Sequence, residues 1–513
     1  MLSGANHPYT VSKHNDDNGD SITETAVLTN GFGQVVQTKK GLRVGNVNKM
    51  QVSGRAVVDA FGRTIEQYDP IVESNTVHRG RYNGCCDTNS RVMTTYDVLD
   101  RTLRSDMPLG VTTQTAYSIG NDQYGHRRFV TTTTDPNGNV THQYSDYEGR
   151  QVQVVDAEGG ITRMHYDNLG QLDATSDPEG FTTLYSYDMF GRMTQRIHPD
   201  AGVTQYSYDN AGNLLQEANA LGQIIFDYTY YRVTNLRYSG MTGNDVTYTY
   251  GTSGNDMGRP IRIVDGSGVY ECHYDALGNV VDETRTIALP HHSETYRFRT
   301  LYQYDSWGRM LSMVYPDGER VTYAYQWGGD LNAMQGEKNG NLRTYISHTT
   351  YNIYGQKASV EYGNGTKTEY SYDALHRLIG LKSRDGIGNL MQAIDYTFDN
   401  ASNVTAIGNQ ASMVNTLGGR YGNTYSYDAL HRLIESDGAG DIGQYNTSHT
   451  YSPSGRLMRK HRFCNSVSLL ASADMVYGYC DGYQPHAVRR MVDYKNGRLY
   501  DLRWDEAGNL GQV

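Results

Sequence analysis

The stretch Asp177-Pro178-Glu179-Gly180-Phe181-Thr182-Thr183-Leu184-Tyr185-Ser186-Tyr187-Asp188-Met189-Phe190-Gly191-Arg192 decides the fold. Thr183, Tyr185 and Tyr187 alternate with Leu184, Ser186 and Asp188, the two-residue period of a strand. Asp188 to Gly191 reads as a turn, because Asp can bond its own backbone and Gly tolerates positive φ. Met193 to Ile197 reads as the returning strand, and Pro199, Asp200, Ala201 and Gly202 as the next turn. The unit is therefore a β-hairpin with strands of about 6–8 residues.

This unit recurs with a period of 21 residues between Asp135 and Gln216. Thr141, Thr162, Thr183 and Thr204 keep the step, as do Asp146, Asp167, Asp188 and Asp209, and Gly149, Gly170, Gly191 and Gly212. A second glycine recurs as Gly138, Gly159 and Gly180, with Ala201 in the fourth copy. Asp135, Asp156 and Asp177 precede it, then His198. One hairpin cannot bury its faces alone, so successive hairpins must add edge to edge.

Beyond this block the period loosens but the signature persists. The motif expected to carry the fold comprises Tyr166, Asp167 and Gly170; Tyr187, Asp188, Gly191 and Arg192; and Tyr208, Asp209 and Gly212. It continues with Tyr274, Asp275 and Gly278, and with Tyr304, Asp305, Gly308 and Arg309. Tyr372, Asp373 and Arg377 recur almost word for word as Tyr427, Asp428 and Arg432. Wider intervals suggest longer hairpin loops, for example Ala288 to Glu294 and Gly328 to Gly340. The repeated arginines (Arg150, Arg192, Arg309, Arg377, Arg432, Arg456) are expected to pair with turn carboxylates of the neighbouring hairpin.

Composition agrees with this reading. The chain of 513 residues holds 44 Tyr and 56 Gly but only 11 Pro, which suits many short strands joined by tight turns. The fold class is all-β, a hairpin array and not several separate domains. Lys and Arg total 45 against 56 Asp and Glu, with no basic block, so nucleic acid is not an expected partner. No run approaches the ~20 apolar residues of a membrane span. Met1 to Asp20 is polar, with no apolar leader core, and these first ~20 residues are expected to be mobile. Five scattered cysteines, Cys85, Cys86, Cys272, Cys464 and Cys480, make no disulfide framework, and the adjacent Cys85 and Cys86 read as buried small hydrophobes.

The Y-D-x-x-G-R and D-P-x-G units resemble the Rhs, or YD-repeat, family, over about Asp59 to Val513. That family includes bacterial Rhs polymorphic toxins, the B and C components of insecticidal toxin complexes and the shell of animal teneurins. Thr29 to Thr38 also resembles the region that precedes the repeats in toxin-complex B components. The resemblance implies a sheet that spirals into a hollow shell, divided here into a lead-in β segment over 1–55 and a shell section over 56–513. It implies a secreted or cell-surface setting and a C-terminal core or toxin domain as partner. The family's Asp-Pro-rich core segment and its aspartyl autoprotease are not found, and the sequence stops within a strand. The chain is therefore expected to be a fragment or to have its continuation encoded elsewhere.

Paired tyrosines (Tyr185/Tyr187, Tyr206/Tyr208, Tyr323/Tyr325) share one sheet face. They read as a stabilising ladder or as a wall that holds a polypeptide or stacks on sugars. A catalytic carboxylate pair is singular, whereas the Tyr-Asp carboxylates recur, so turn capping is the better account. Asp16 to Asp20 resembles a calcium loop but lacks its glycine and final glutamate. Adjacent His291 and His292 have no further ligand nearby in sequence. No catalytic residue, metal or cofactor is expected. The leading function is a non-enzymatic shell section that encapsulates or presents a toxin or effector. The alternative is a cell-surface module that binds carbohydrate or protein.

Overall fold

The computed structural model describes residues 7–15, 22–31, 33–44, 47–74, 79–84, 90–240, 243–289, 294–413, 419–441, 443–465, 472–480 and 482–512. The Asp16 to Asp20 segment, Cys85, Cys86, His291 and His292 lie outside these residues. Apart from 3-10 turns at Pro108–Gly110 and Gly254–Asp256, the described regular structure is β. No helix among the described residues is long and apolar enough to cross a membrane.

The expected array is present. From Ala56–Val58 to Arg498–Asp501, each strand of one long sheet pairs antiparallel with the next. In the regular block, Thr182–Tyr187 pairs with Met193–His198, which pairs with Gly202–Tyr208. Gly191 and Gly202 adopt φ of 80° and 65°, so both turns need the left-handed region. The sheet is an open ribbon and not a closed barrel.

Why the ribbon coils is visible in its register. Each hairpin carries a register shift at its Tyr-Asp end, between Ser186 and Tyr187 or Ser207 and Tyr208, for example. The opposite D-P-x-G ends in this block pair without one. An extra residue at one edge of every hairpin bends that edge and increases twist, so the ribbon curls. Long-range contacts mark the return: Asn137 meets Asp399, 262 residues away, and Asp177 meets His486, 309 residues away. One coil of the ribbon thus lies against the next.

The lead-in residues form a separate five-stranded sheet: Tyr9–Asn15, Ile22–Thr29, Val35–Val44, Val47–Ser53 and Ile71–Ser74. Two corrections follow. Tyr9–Asn15 is a paired strand within the stretch expected to be mobile. The sheet also crosses the expected boundary at residue 55, because Ile71–Ser74 pairs with Val47–Ser53. Ala26, Leu28 and Tyr82 form its apolar core. The Lys39 ammonium, 1% exposed, meets Glu73 at 2.5 Å, so the buried charge is paired. This sheet rests on the second coil, with Trp327 packed over Gly41 and the Gln51 amide donating to the Ile353 carbonyl.

The widened interval at Gly328 to Gly340 is not a loop. Leu331–Lys338 and Asn341–Tyr351 are long paired strands, so the extra residues lengthen the hairpin. At Ala288 to Glu294 the flanking strands reach Ala288 and Thr295.

Candidate functional site

The repeated turn is a defined constellation. Asp188 Oδ1 accepts the backbone N–H groups of Phe190 and Arg192, and Oδ2 accepts the Arg192 Nε at 2.7 Å. The same arrangement holds at Asp146, Asp305, Asp373 and Asp428. Asp167 Oδ1 caps Leu169 and Gln171, while Asp209 and Asp275 substitute Asn213 and Asn279 for the arginine. The D-P-x-G turns are chemically the same: Asp177 Oδ1 accepts from Glu179 and Phe181. At the fourth copy His198 Nδ1 accepts the N–H groups of Asp200 and Ala201 in place of the aspartate.

The tyrosine and arginine join hairpin to hairpin. The Tyr187 hydroxyl donates to the Leu172 carbonyl, as Tyr166 does to Gln151 and Tyr208 to Met193. Tyr274, Tyr372 and Tyr427 donate to Pro260, Lys357 and Val404. At Tyr304 the ring stacks on Tyr302 at 6.3 Å. Burial raises the Tyr187, Tyr208, Tyr372 and Tyr427 phenols, and pushes Tyr351 up to about 12, so these hydroxyls remain donors at ordinary pH. The Arg192 guanidinium lies 4.8 Å from the Tyr208 ring centroid and donates to the Asp209 carbonyl. Arg309 over Tyr325 and Arg432 over Tyr451 repeat the stacking.

This corrects the expectation for the arginines. They pair with the carboxylate of their own turn and reach the neighbouring hairpin through its ring and backbone carbonyl. The reason is geometric: a guanidinium has five donors in a fixed fork, so one side can clamp its own aspartate while the other reaches onward. Arg456 departs further, because its turn has Ser452 where others have Asp. It binds Glu179 of the first coil and the Pro485 carbonyl.

A second site was not legible in sequence. D-x-x-G turns of the first coil face Tyr-Asp turns of the second along a seam. Asn137 accepts from Ala401 N–H, Glu158 accepts from Ala429 N–H, and Glu179 binds Ser452, Ser454 and Arg456. His376 faces Asp69 at 3.5 Å and His431 faces Asp135 at 3.1 Å. Both histidines occupy the turn position that is Gly elsewhere, with φ of 62° and 61°. A local signal existed, since His replaces Gly in two near-identical turns, but its partner was hundreds of residues away.

Among the described residues no group of three or more His, Cys, Asp or Glu could hold a metal. Cys272 is buried, Cys464 partly covered and Cys480 exposed. The covered face of Thr182–Tyr187 carries Thr183, Tyr185 and Tyr187, whereas Leu184 and Ser186 are exposed.

The fold and its turn chemistry define a class: an all-β ribbon of hairpin repeats wound into stacked coils. The RHS Repeat family model matches residues 128–161 and 166–203. Over those residues the chain carries RHS repeats. It is 29% identical over 195 residues to toxin subunit YenC2 of Yersinia entomophaga, covering 32% of this chain and 20% of that protein. It is 32% identical over 151 residues to toxin subunit YenC1 of the same organism, covering 28% and 16%. Solved structures of TcdB2-TccC3 and of the Photorhabdus luminescens Tc holotoxin pore superpose with TM-scores of 0.81 and 0.82 at 20% identity. Each covers 98% of this chain, which spans 30% and 29% of those chains.

Proposed function

We propose that this chain is a non-enzymatic wall section of a secreted toxin-complex shell, which encloses or presents a polypeptide carried on the same or a partner chain. The observation that carries the reading is the seam. It holds successive coils of one continuous ribbon side by side, which makes a wall out of a strip. The similarity to two Yersinia toxin subunits supports a toxin-complex setting. The wall acts sterically: a long ladder of backbone hydrogen bonds resists the local opening that a protease needs. The five-stranded lead-in sheet acts as a brace on the second coil, and the Tyr-Asp-Arg turns are its structural joints.

Single-particle imaging of the full-length gene product tests the reading. A continuous wall around a lumen that contains polypeptide density is the expected result, with that polypeptide resistant to added protease until the wall is denatured. A ribbon with both faces open to solvent, or a cargo cleaved as fast as the free peptide, overturns it.

A further inference from the structure

The segment Gly482 to Arg489 lies outside the repeat pattern, yet it fastens the second coil to the first. Gln484, 1% exposed, donates to the Asp505 carbonyl, and the Pro485 carbonyl accepts from Arg456. Between these anchors sits His486. Its Nδ1 lies 2.6 Å from Asp200 Oδ2 and its Nε2 lies 2.8 Å from Asp177 Oδ2. The two aspartates belong to turns of adjacent hairpins of the first coil. The backbone N–H of His486 also donates to Asp200 Oδ1 at 2.8 Å.

A neutral imidazole has one N–H and can donate to only one of these carboxylates. Its other nitrogen would then present a lone pair to an anion. Only the imidazolium satisfies both contacts at once. We propose that His486 is a proton-operated staple, which in its charged form clamps the second coil to two adjacent hairpins of the first and releases one of them when it loses its proton.

The surroundings agree. Burial disfavours the charge on His486, but the bonds to Asp177 and Asp200 outweigh it and raise the group above the ordinary histidine value. Across the seam it also faces His198 and the edge of the Phe181 ring, 5.2 Å away. His198 accepts two backbone N–H groups through Nδ1, and burial lowers its pKa, so it stays neutral beside the staple. The nearby Glu179–Arg456 pair is internally balanced. Because the folded-state value is raised, the staple is closed below the unfolded histidine value of about 6.5 and lost as pH rises through the folded value. The last described turn docks beside it, with Gly508 against Asp200, so opening frees that end of the second coil.

The other seam histidines provide a control. His431 Nδ1 contacts the Asn403 amide at 2.8 Å, and only its Nε2 faces a carboxylate. A neutral ring satisfies that arrangement.

Hydrogen exchange of the full chain, followed by mass spectrometry from pH 5 to 9 and corrected for intrinsic rates, tests the staple. Peptides over 177–181, 199–202 and 484–488 should exchange about five-fold faster at the alkaline end, the scale of a partly exposed ion pair. His486→Gln should exchange fast at every pH, whereas His431→Gln should keep the wild-type dependence. A flat wild-type profile, or a His486→Gln protein that retains the pH dependence, overturns the proposal. Should His486→Gln fail to fold, Asp177→Asn, which leaves one carboxylate for one N–H, reads the same way: loss of the dependence supports the staple and its persistence overturns it.

Discussion

The Tyr187 hydroxyl donates to the Leu172 carbonyl oxygen at 2.8 Å, fifteen residues back and one hairpin away. The donor stands just before a turn and the acceptor just after the previous one. Repeated along the ribbon, this bond ties each hairpin to its predecessor at the bulged edge, where the backbone ladder is interrupted.

The bond sets the first expectation. Tyr208→Phe keeps the ring beneath Arg192 and removes only the donation to Met193. It should cost about 1 kcal/mol, the usual net value of one hydrogen bond. Tyr208→Ala should cost about 3 kcal/mol, because the ring is lost as well. Urea unfolding midpoints of the two variants check this; equal losses would mean that the hydroxyl carries the whole effect.

Turn geometry sets the second. Gly191 has φ of 80°, and a Cβ there would sit 3.1 Å from Gln171 Nε2. Gly191→Val should therefore destabilise by more than about 1 kcal/mol. Thermal unfolding reads the loss, and an unchanged midpoint would contradict the left-handed turn.

Arginine chemistry sets the third. Arg309 donates to Asp305, which is 2% exposed, and lies 4.5 Å from the Tyr325 centroid and 4.8 Å from Trp307. Arg309→Lys keeps the charge but loses the fork and the flat stacking surface. A loss of about 1–2 kcal/mol is expected, with Trp307 fluorescence reporting the local change. Asp305→Ala should cost more, about 3 kcal/mol, since it leaves a guanidinium unpaired.

Acid sensitivity is the fourth. The Arg63 side chain holds the Asp59 carboxyl below its usual value, and Asn213 does the same for Asp209. At Asp146 burial opposes the shift, but Arg150 and two backbone N–H groups prevail. A depressed folded-state value means stability present above the unfolded aspartate value of about 3.9 and lost as pH falls through the folded one. Circular dichroism should show a cooperative loss of strand signal below about pH 4, because the turn carboxylates protonate over the same range. Retention of full stability at pH 2 would contradict the capping role.

The hairpin and its turns were legible because they are local. Alternation of Thr183, Tyr185 and Tyr187 sets the strand, and Asp188 with Gly191 sets the turn, all within one 21-residue unit. The lengthened strands Leu331–Lys338 and Asn341–Tyr351 look like a loop in sequence, since Gly336 and Gly340 resemble turn residues until a partner strand is present. The arginine partners are hidden in sequence for a related reason. A spacing of four residues across a turn brings Arg192 back to Asp188, which alternation alone does not reveal.

By itself, the sequence determined an all-β ribbon of repeated hairpins, because periodicity and turn chemistry act over a few residues. Only the tertiary structure decided how the ribbon closes against itself. The curl accumulates from a bulge in each hairpin, and its sum determines which distant turns meet. Glu179 carries no mark that Ser454 and Arg456 await it, and Gly482 to Arg489 looks like a break in the repeat. Coiling brings both to one seam, where His486 finds Asp177 and Asp200.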